Sequence, residues 1–281
     1  MRKRHIFFRS ILALLTSLLL LPLVLTLIYS FSSSAEIKAF MDTRNQYGKQ
    51  LMEIKLSPAM FSLDQYWRVL IQDTSILRYY FNSILYTAAI LLGQAWVIPM
   101  LAYALSRFNF RERDVIVFAV IVLLLLPFQV TMIPTVLTLR SIGLLDTMWA
   151  IILPALASPF YVFLLRQSML GIPSELFEAA QIDGAGPICC YVHIALPVSK
   201  AIIGAAVALS FADCWNMVEQ PLVFLPMRND LYPLSVAFNQ LSQKSTGIEF
   251  AGATLYILPT LMIHLFFQKD IMTGIQLSEM K

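Results

Sequence analysis

Charge is scarce in this chain. Only 13% of its 281 residues are Asp, Glu, Lys or Arg, while 58% are hydrophobic. A soluble domain carries about twice that charged share, because a large core must be covered with polar side chains. The composition therefore excludes an ordinary soluble globule. The 20 basic residues outnumber the 17 acidic ones by only three. They fall between apolar runs instead of gathering into a patch, so nucleic acid is not an expected partner. A lipid membrane is.

Several kinds of chemistry are missing too. Cys189, Cys190 and Cys214 have no metal-ligand spacing, two of them are adjacent, and they read as free thiols. His5, His193 and His264 lie far apart and form no HExxH pair, so no metal site is expected. No GxxxxGK[ST] phosphate loop occurs; Tyr47-Gly48-Lys49-Gln50 is the nearest string, and it has none of the other elements. No Ser/His/Asp constellation can be built from spacing. The chain is not expected to be an enzyme, and no catalytic residue is assigned.

What remains is long apolar runs. A spanning helix needs about 20 apolar residues, at 1.5 Å each, to cross about 30 Å of hydrocarbon. Six segments qualify: 11–29, 82–105, 115–133, 147–165, 201–225 and 252–267. Pro154 and Pro259 read as kinks that a bundle tolerates, and Asp213 and Glu219 make the fifth segment the weakest. The fold expected is an all-α, polytopic membrane bundle of about six transmembrane helices, forming a single domain over 1–281.

The basic residues orient it. With a cytoplasmic N-terminus, the inner segments collect Arg2, Lys3, Arg4 and Arg9, then Arg107, Arg111 and Arg113, then Arg166 and Lys200, then Lys269 and Lys281. The two short outer loops receive only Arg140, Arg228 and Lys244. By the positive-inside rule both termini are cytoplasmic. The first span has a basic start and small residues at 32–35, as a cleaved signal would. Its apolar run is longer than a signal core, so it reads as an uncleaved anchor. Residues 32–80 then form a long extracytoplasmic loop, polar at 42–48 and amphipathic at 61–77, either a lid over helix ends or a docking surface.

One inner segment, within the cytoplasmic stretch 166–200, is unusually ordered. Pro173 and Ser174 suit a helix start, and Glu175 and Glu178 suit its positive end. Leu176, Phe177 and Ala180 share a face, with Glu178 and Gln181 beside it. Gly184 and Gly186 permit positive φ, so the chain can turn before Pro187 starts a second helix toward Leu196-Pro197. Taken alone, this is a short amphipathic helix that could equally lie on lipid headgroups.

Glu178-Ala179-Ala180, followed by Asp183-Gly184-Ala185 and Ile194-Ala195-Leu196-Pro197, closely resembles the EAA loop of bacterial ABC importer permeases. Tyr80-Phe81-Asn82-Ser83, Ala102-Tyr103-Ala104-Leu105-Ser106-Arg107-Phe108 and Trp215-Asn216 extend the resemblance to the maltose-type carbohydrate permeases. Cys189-Cys190 departs from it, standing where bulkier residues are expected. The resemblance implies a multi-pass subunit of a prokaryotic cell membrane that conducts solute by alternating access. It implies four kinds of neighbour: a second permease subunit, two ATPase subunits, an extracytoplasmic solute-binding protein and lipid. ATP and magnesium would belong to the ATPase, with no cofactor on this chain. Glu178, Ala179, Ala180, Asp183 and Gly184 would form the ATPase-coupling loop.

Asp213, Trp215, Asn216 and Glu219 are the candidate solute pathway. Acids inside a membrane segment face a cavity or a partner, and an aromatic face with nearby hydrogen-bonding groups suits an uncharged, hydroxyl-rich solute. The same residues could instead serve helix packing, with Trp215 at an interface. A different class of function also uses Asp213 and Glu219, as coupling groups of a self-sufficient ion-driven carrier or channel. The exposed inner helix separates the two classes, because an ion-driven carrier has no need of it. For the topology, a fluorescent protein fused after Lys281 should fold and fluoresce in intact cells, and alkaline phosphatase fused there should be inactive. The opposite pair of results would reverse the orientation.

Overall fold

The computed structural model describes residues 2–38, 60–72, 74–238 and 248–279. The polar stretch 42–48 of the expected outer loop lies outside them. All regular structure among the described residues is helical. The principal helices are α1 (Arg2–Tyr29), α2 (Thr74–Arg107), α3 (Arg113–Leu125), α4 (Phe128–Ser141), α5 (Met148–Ala155) and α6 (Pro159–Leu170). They continue with α7 (Ser174–Ile182), α8 (Pro187–Cys190), α9 (Lys200–Trp215), α10 (Glu219–Phe224) and α11 (Glu249–Glu279).

Among the described residues, four stretches are long and apolar enough to cross a membrane: Phe8–Tyr29, Ser75–Arg107, Met148–Leu170 and Glu249–Met272. Two bent pairs raise the number to six if each is one span. The expected third span, 115–133, is not continuous, since α3 and α4 meet at 114°. Pro127 has no amide for the helix ladder, and Leu126 before it is driven to extended backbone at ψ 126°. The expected fifth span is displaced. α9 stops at Trp215, and α10 is a separate short helix in place of a run to residue 225. Upstream, α8 continues through a π-helical turn, Tyr191–Ala195, to Val198, and then bends by 73° into α9. The fourth span is helical on both sides of a break at 156–158, before Pro159.

The chain divides into two compact units. One comprises Met1–Arg78 with Ala237–Pro259. In it, Leu12, Leu14, Leu15 and Leu20, spread around α1, are all exposed, so α1 is apolar around its circumference, the pattern of a helix made for lipid. Its organising residue is Gln65, which has no exposed surface. Its Nε2 donates to the carbonyls of Tyr29 (2.7 Å) and Ser32 (2.8 Å), and its Oε1 accepts from the Ala251 amide (3.3 Å). Part of the expected outer loop is thus a folded strap. Its helices, Asp64–Trp67 and Arg68–Gln72, close the end of α1, and α2 already begins at Thr74, before the expected loop boundary at 80.

The second unit, Tyr79–Val236 with Thr260–Lys281, holds two apolar clusters. Tyr86, Ile90, Ala150, Ile151, Phe224 and Leu225 build one; Ile98, Ala102, Leu105, Leu165, Met169 and Phe177 build the other. A buried stripe of α2 at Asn82, Tyr86, Ile90, Gln94, Ile98 and Ala102 keeps four-residue spacing and so winds around the helix, meeting one cluster near its start and the other near its end.

Gln65→Leu keeps the volume but strands the Ser32 carbonyl and the Ala251 amide, while the Tyr29 carbonyl keeps the Ser32 amide (3.1 Å). At about 1–3 kcal/mol for an unmet buried group, the first unit should lose about 2–6 kcal/mol. Faster proteolysis within 60–72 and a lower unfolding temperature in detergent are the expected readings; native-like values would remove Gln65 as the organiser.

Candidate functional site

The helix expected at the inner loop is present as α7, starting at Ser174 after Pro173. It ends in a Schellman turn. Gly184 adopts φ +82°, its amide donates to Gln181 (3.0 Å), and the Ala185 amide reaches back to the carbonyl of Ala180 (2.8 Å). Gly184 is the residue the turn requires to be glycine. Gly186, expected to share that conformation, is extended at φ −73°, ψ 170° and caps α8. Glu175, Glu178, Ala179, Gln181 and Asp183 are exposed, and Phe177 is buried. Of the face expected to be apolar, Ala180 is half-buried, while Leu176 is exposed with Ile182. α7 therefore presents carboxylates and aliphatic groups together on its free side.

A single turn of α2 seats this loop. Arg107 Nη2 donates to the carbonyls of Met169 (2.5 Å) and Ile172 (2.6 Å), and its guanidinium lies 4.1 Å from the centre of the Phe177 ring. That is within cation–π range. Tyr103 donates its hydroxyl to the Pro187 carbonyl (3.2 Å) and packs its ring against Tyr191 at 5.2 Å. Arg166 Nε bonds the Leu105 carbonyl (3.2 Å). Sequence reasoning takes Arg107 as an orienting charge and as part of a string shared with the family, and misses its contacts. The available signal was a cation and a tyrosine four residues apart at the end of an apolar run.

The four pathway residues are not brought to one surface. Asp213 and Asn216 are exposed, one turn apart at the end of α9, and Glu219 is exposed at the start of α10. Trp215 is only 1% exposed, stacked with Phe211 at 5.6 Å and edge-on to Tyr80 at 5.8 Å. It is a core residue, because α9 points it away from the side that carries Asp213. Each acid takes an uncharged donor from another helix: Tyr161 of α6 donates its hydroxyl to Asp213 (2.5 Å), and Gln129 of α4 donates its amide to Glu219 (3.2 Å). Asn216 turns its amide back to the Ala212 carbonyl (2.8 Å) and closes α9. Beside them, Gln94 donates to the Ala155 carbonyl at the break before α6 (2.7 Å), and Ser210 donates to Gln94 Oε1 (2.5 Å). Tyr161, Gln129 and Gln94 were not singled out from the sequence; a polar residue within an apolar span was the only cue.

Comparison with known proteins matches residues 95–268 to the family of binding-protein-dependent transport system inner membrane components. The chain belongs to that family. Among curated relatives, the arabinooligosaccharides transport system permease protein AraQ of Bacillus subtilis (strain 168) is 26% identical, over 94% of this chain and 95% of its own length. The polygalacturonan/rhamnogalacturonan transport system permease protein YtcP of the same organism is 31% identical, over 80% and 84%. Among solved structures, a chain of a bacterial ABC transporter that imports the acidic polysaccharide alginate superposes with a TM-score of 0.78, at 23% identity, covering 95% of this chain and 96% of that one. The fold is that of an ABC permease.

Burial separates two of the pathway residues. Trp215→Ala should cost about 3–5 kcal/mol as an aromatic truncated in the core. Asp213→Asn keeps an acceptor for Tyr161 and should cost under about 1 kcal/mol, as exposed positions do. Thermal inactivation of the purified subunit in detergent should rank the two in that order; equal losses would contradict the core assignment of Trp215.

Proposed function

We propose that this chain is one of two permease subunits of an ABC importer for an uncharged, hydroxyl-rich oligosaccharide. The observation that carries the coupling role is α7, a helix pinned through Phe177 while Glu178 and Ala179 stay exposed, and ended by the fixed turn at Gly184. Glu178, Ala179, Ala180, Asp183 and Gly184 form the loop that docks in an ATPase, and two ATPase subunits bind ATP and magnesium on behalf of the complex. This chain is not itself an enzyme and carries no cofactor. Both termini and the 166–200 segment lie in the cytoplasm, and 32–80 lies outside, where a solute-binding protein delivers its cargo.

Relatives named for arabinooligosaccharides and for diacetylchitobiose support a carbohydrate solute. Within this chain Asp213, Asn216 and Glu219 offer acceptors to hydroxyl groups, and their charge disfavours an anionic solute. Trp215 shapes the wall from behind. Membership in a binding-protein-dependent family weighs against a self-sufficient ion-coupled carrier.

Nucleotide-driven closure of the ATPases moves α7 and, through it, the spans, as any coupling between two conformations requires. Purification of the complex from its native membrane should retain the second permease, the ATPase and a solute-binding protein whose bound solute is a neutral oligosaccharide; a uronate-rich solute would overturn the substrate class.

The loop assignment predicts two graded defects. Gly184→Val forces a β-branched residue to positive φ at a cost on the order of 1–2 kcal/mol. Pull-down of the ATPase should weaken several-fold, or ATP hydrolysis should lose its response to loaded binding protein. Glu178→Lys reverses a charge at the contact and should give a milder defect. An α7 that merely lies on lipid headgroups would leave both variants with normal ATPase retention and coupling.

A further inference from the structure

Arg107 stands where three helices end or begin. It is the last residue of α2, it bonds two carbonyls that flank the exit from α6, and it stacks on Phe177 at the beginning of α7. Between α6 and α7 lie only residues 171–173, an elbow of three. A single planar cation therefore holds the helix before that elbow and the helix after it. Among the described residues Arg107 forms no ion pair. Its countercharge comes from the carbonyl end of α6, where a helix is electronegative, and from the face of the Phe177 ring. Moving either helix alone would leave the half-buried charge undercompensated, so the arrangement is held as a unit.

The far side of the loop is tied to the same turn of α2. Tyr103, four residues before Arg107, reaches the carbonyl of Pro187 just after the Gly184 turn. The whole excursion from the end of α6 to the start of α8 is thus fastened at two points to one helical turn.

We infer that Arg107 is a positioning residue for energy coupling: it locks the elbow between α6 and α7, so that displacement of α7 moves the end of α2 with it. The inference rests on α7 being the ATPase-docking helix. Without the lock, the elbow would flex and absorb the displacement. Lysine cannot substitute, because it is a point charge with no plane to stack while it bonds two carbonyls.

Hydrogen–deuterium exchange on the complete ATPase-bound complex in liposomes reads this transmission without any solute, at rest and after trapping with ATP and vanadate. In the native complex, trapping should change exchange in residues 174–182 and, at least fivefold, in residues 104–110. In Arg107→Lys, and separately in Phe177→Leu, the ATPase should stay bound and hydrolyse ATP. The response at 174–182 should persist, and that at 104–110 should fall below twofold. The double variant should be no worse than either single one, since each removes the same contact. A fivefold response at 104–110 surviving in either variant overturns the role of Arg107. So does a native complex that responds at 174–182 but not at 104–110. So does loss of ATPase retention in both variants while the permease remains folded, because a positioning residue acts after docking. No response at 174–182 in the native complex overturns the docking assignment itself, and the inference with it.

Discussion

In hydrocarbon, a carbonyl released from a helix has no water to turn to, and a chain that breaks its spans must supply a donor from another helix. This protein breaks the span that ends in α6, and α2 supplies a donor there and further bonds to the loops near both of its ends. At one end, Asn82 donates to the carbonyls of Asp230 and Tyr232, Tyr86 donates to that of Leu231, and Ser83 accepts the Leu234 amide. In the middle, Gln94 closes the break at Ala155. At the other end, Arg107 and Tyr103 hold the inner loop. Each is worth only about 1 kcal/mol net where neutral, but leaving the carbonyl unmet would cost more. α2 is therefore the ridge to which the irregular parts of its unit are fastened.

α7 is held at its end by its Schellman turn and at its base by Phe177 and Arg107, while its outer face is exposed. Asp213 and Glu219, by contrast, sit on helix ends and are each steadied by one neutral donor. Each donor fixes the orientation of the carboxylate it meets.

Much of α7 was legible in the sequence. The order Pro173-Ser174, two glutamates, then Asp183-Gly184 specifies a helix start and a left-handed stop through local rules alone; α7 begins at Ser174, with no side-chain cap bond from Pro173, and ends at the Gly184 turn. Four of the six expected spans were legible too, because their apolar runs are long and their length is set by the bilayer. The break at Pro127 was also written in the chain, but the apolar run across it masked the proline.

Contacts between distant residues had no such signature. That Arg107 stacks on Phe177, 70 positions later, and that Tyr161 meets Asp213, depend on how helices cross, which no local pattern encodes. Trp215 shows the limit most clearly. Its neighbourhood of acids and Asn216 reads as one polar site along the chain, yet a helix turns successive residues by about 100°. The rotation of α9 sends the indole into the core and leaves Asp213 and Asn216 exposed. Composition and capping chemistry set the class of protein and the shape of the inner loop, because both act over a few residues or over the whole chain. The facing of side chains at the pathway and the seating of the loop were settled by helix packing, because they depend on distances between residues that only the folded chain brings together.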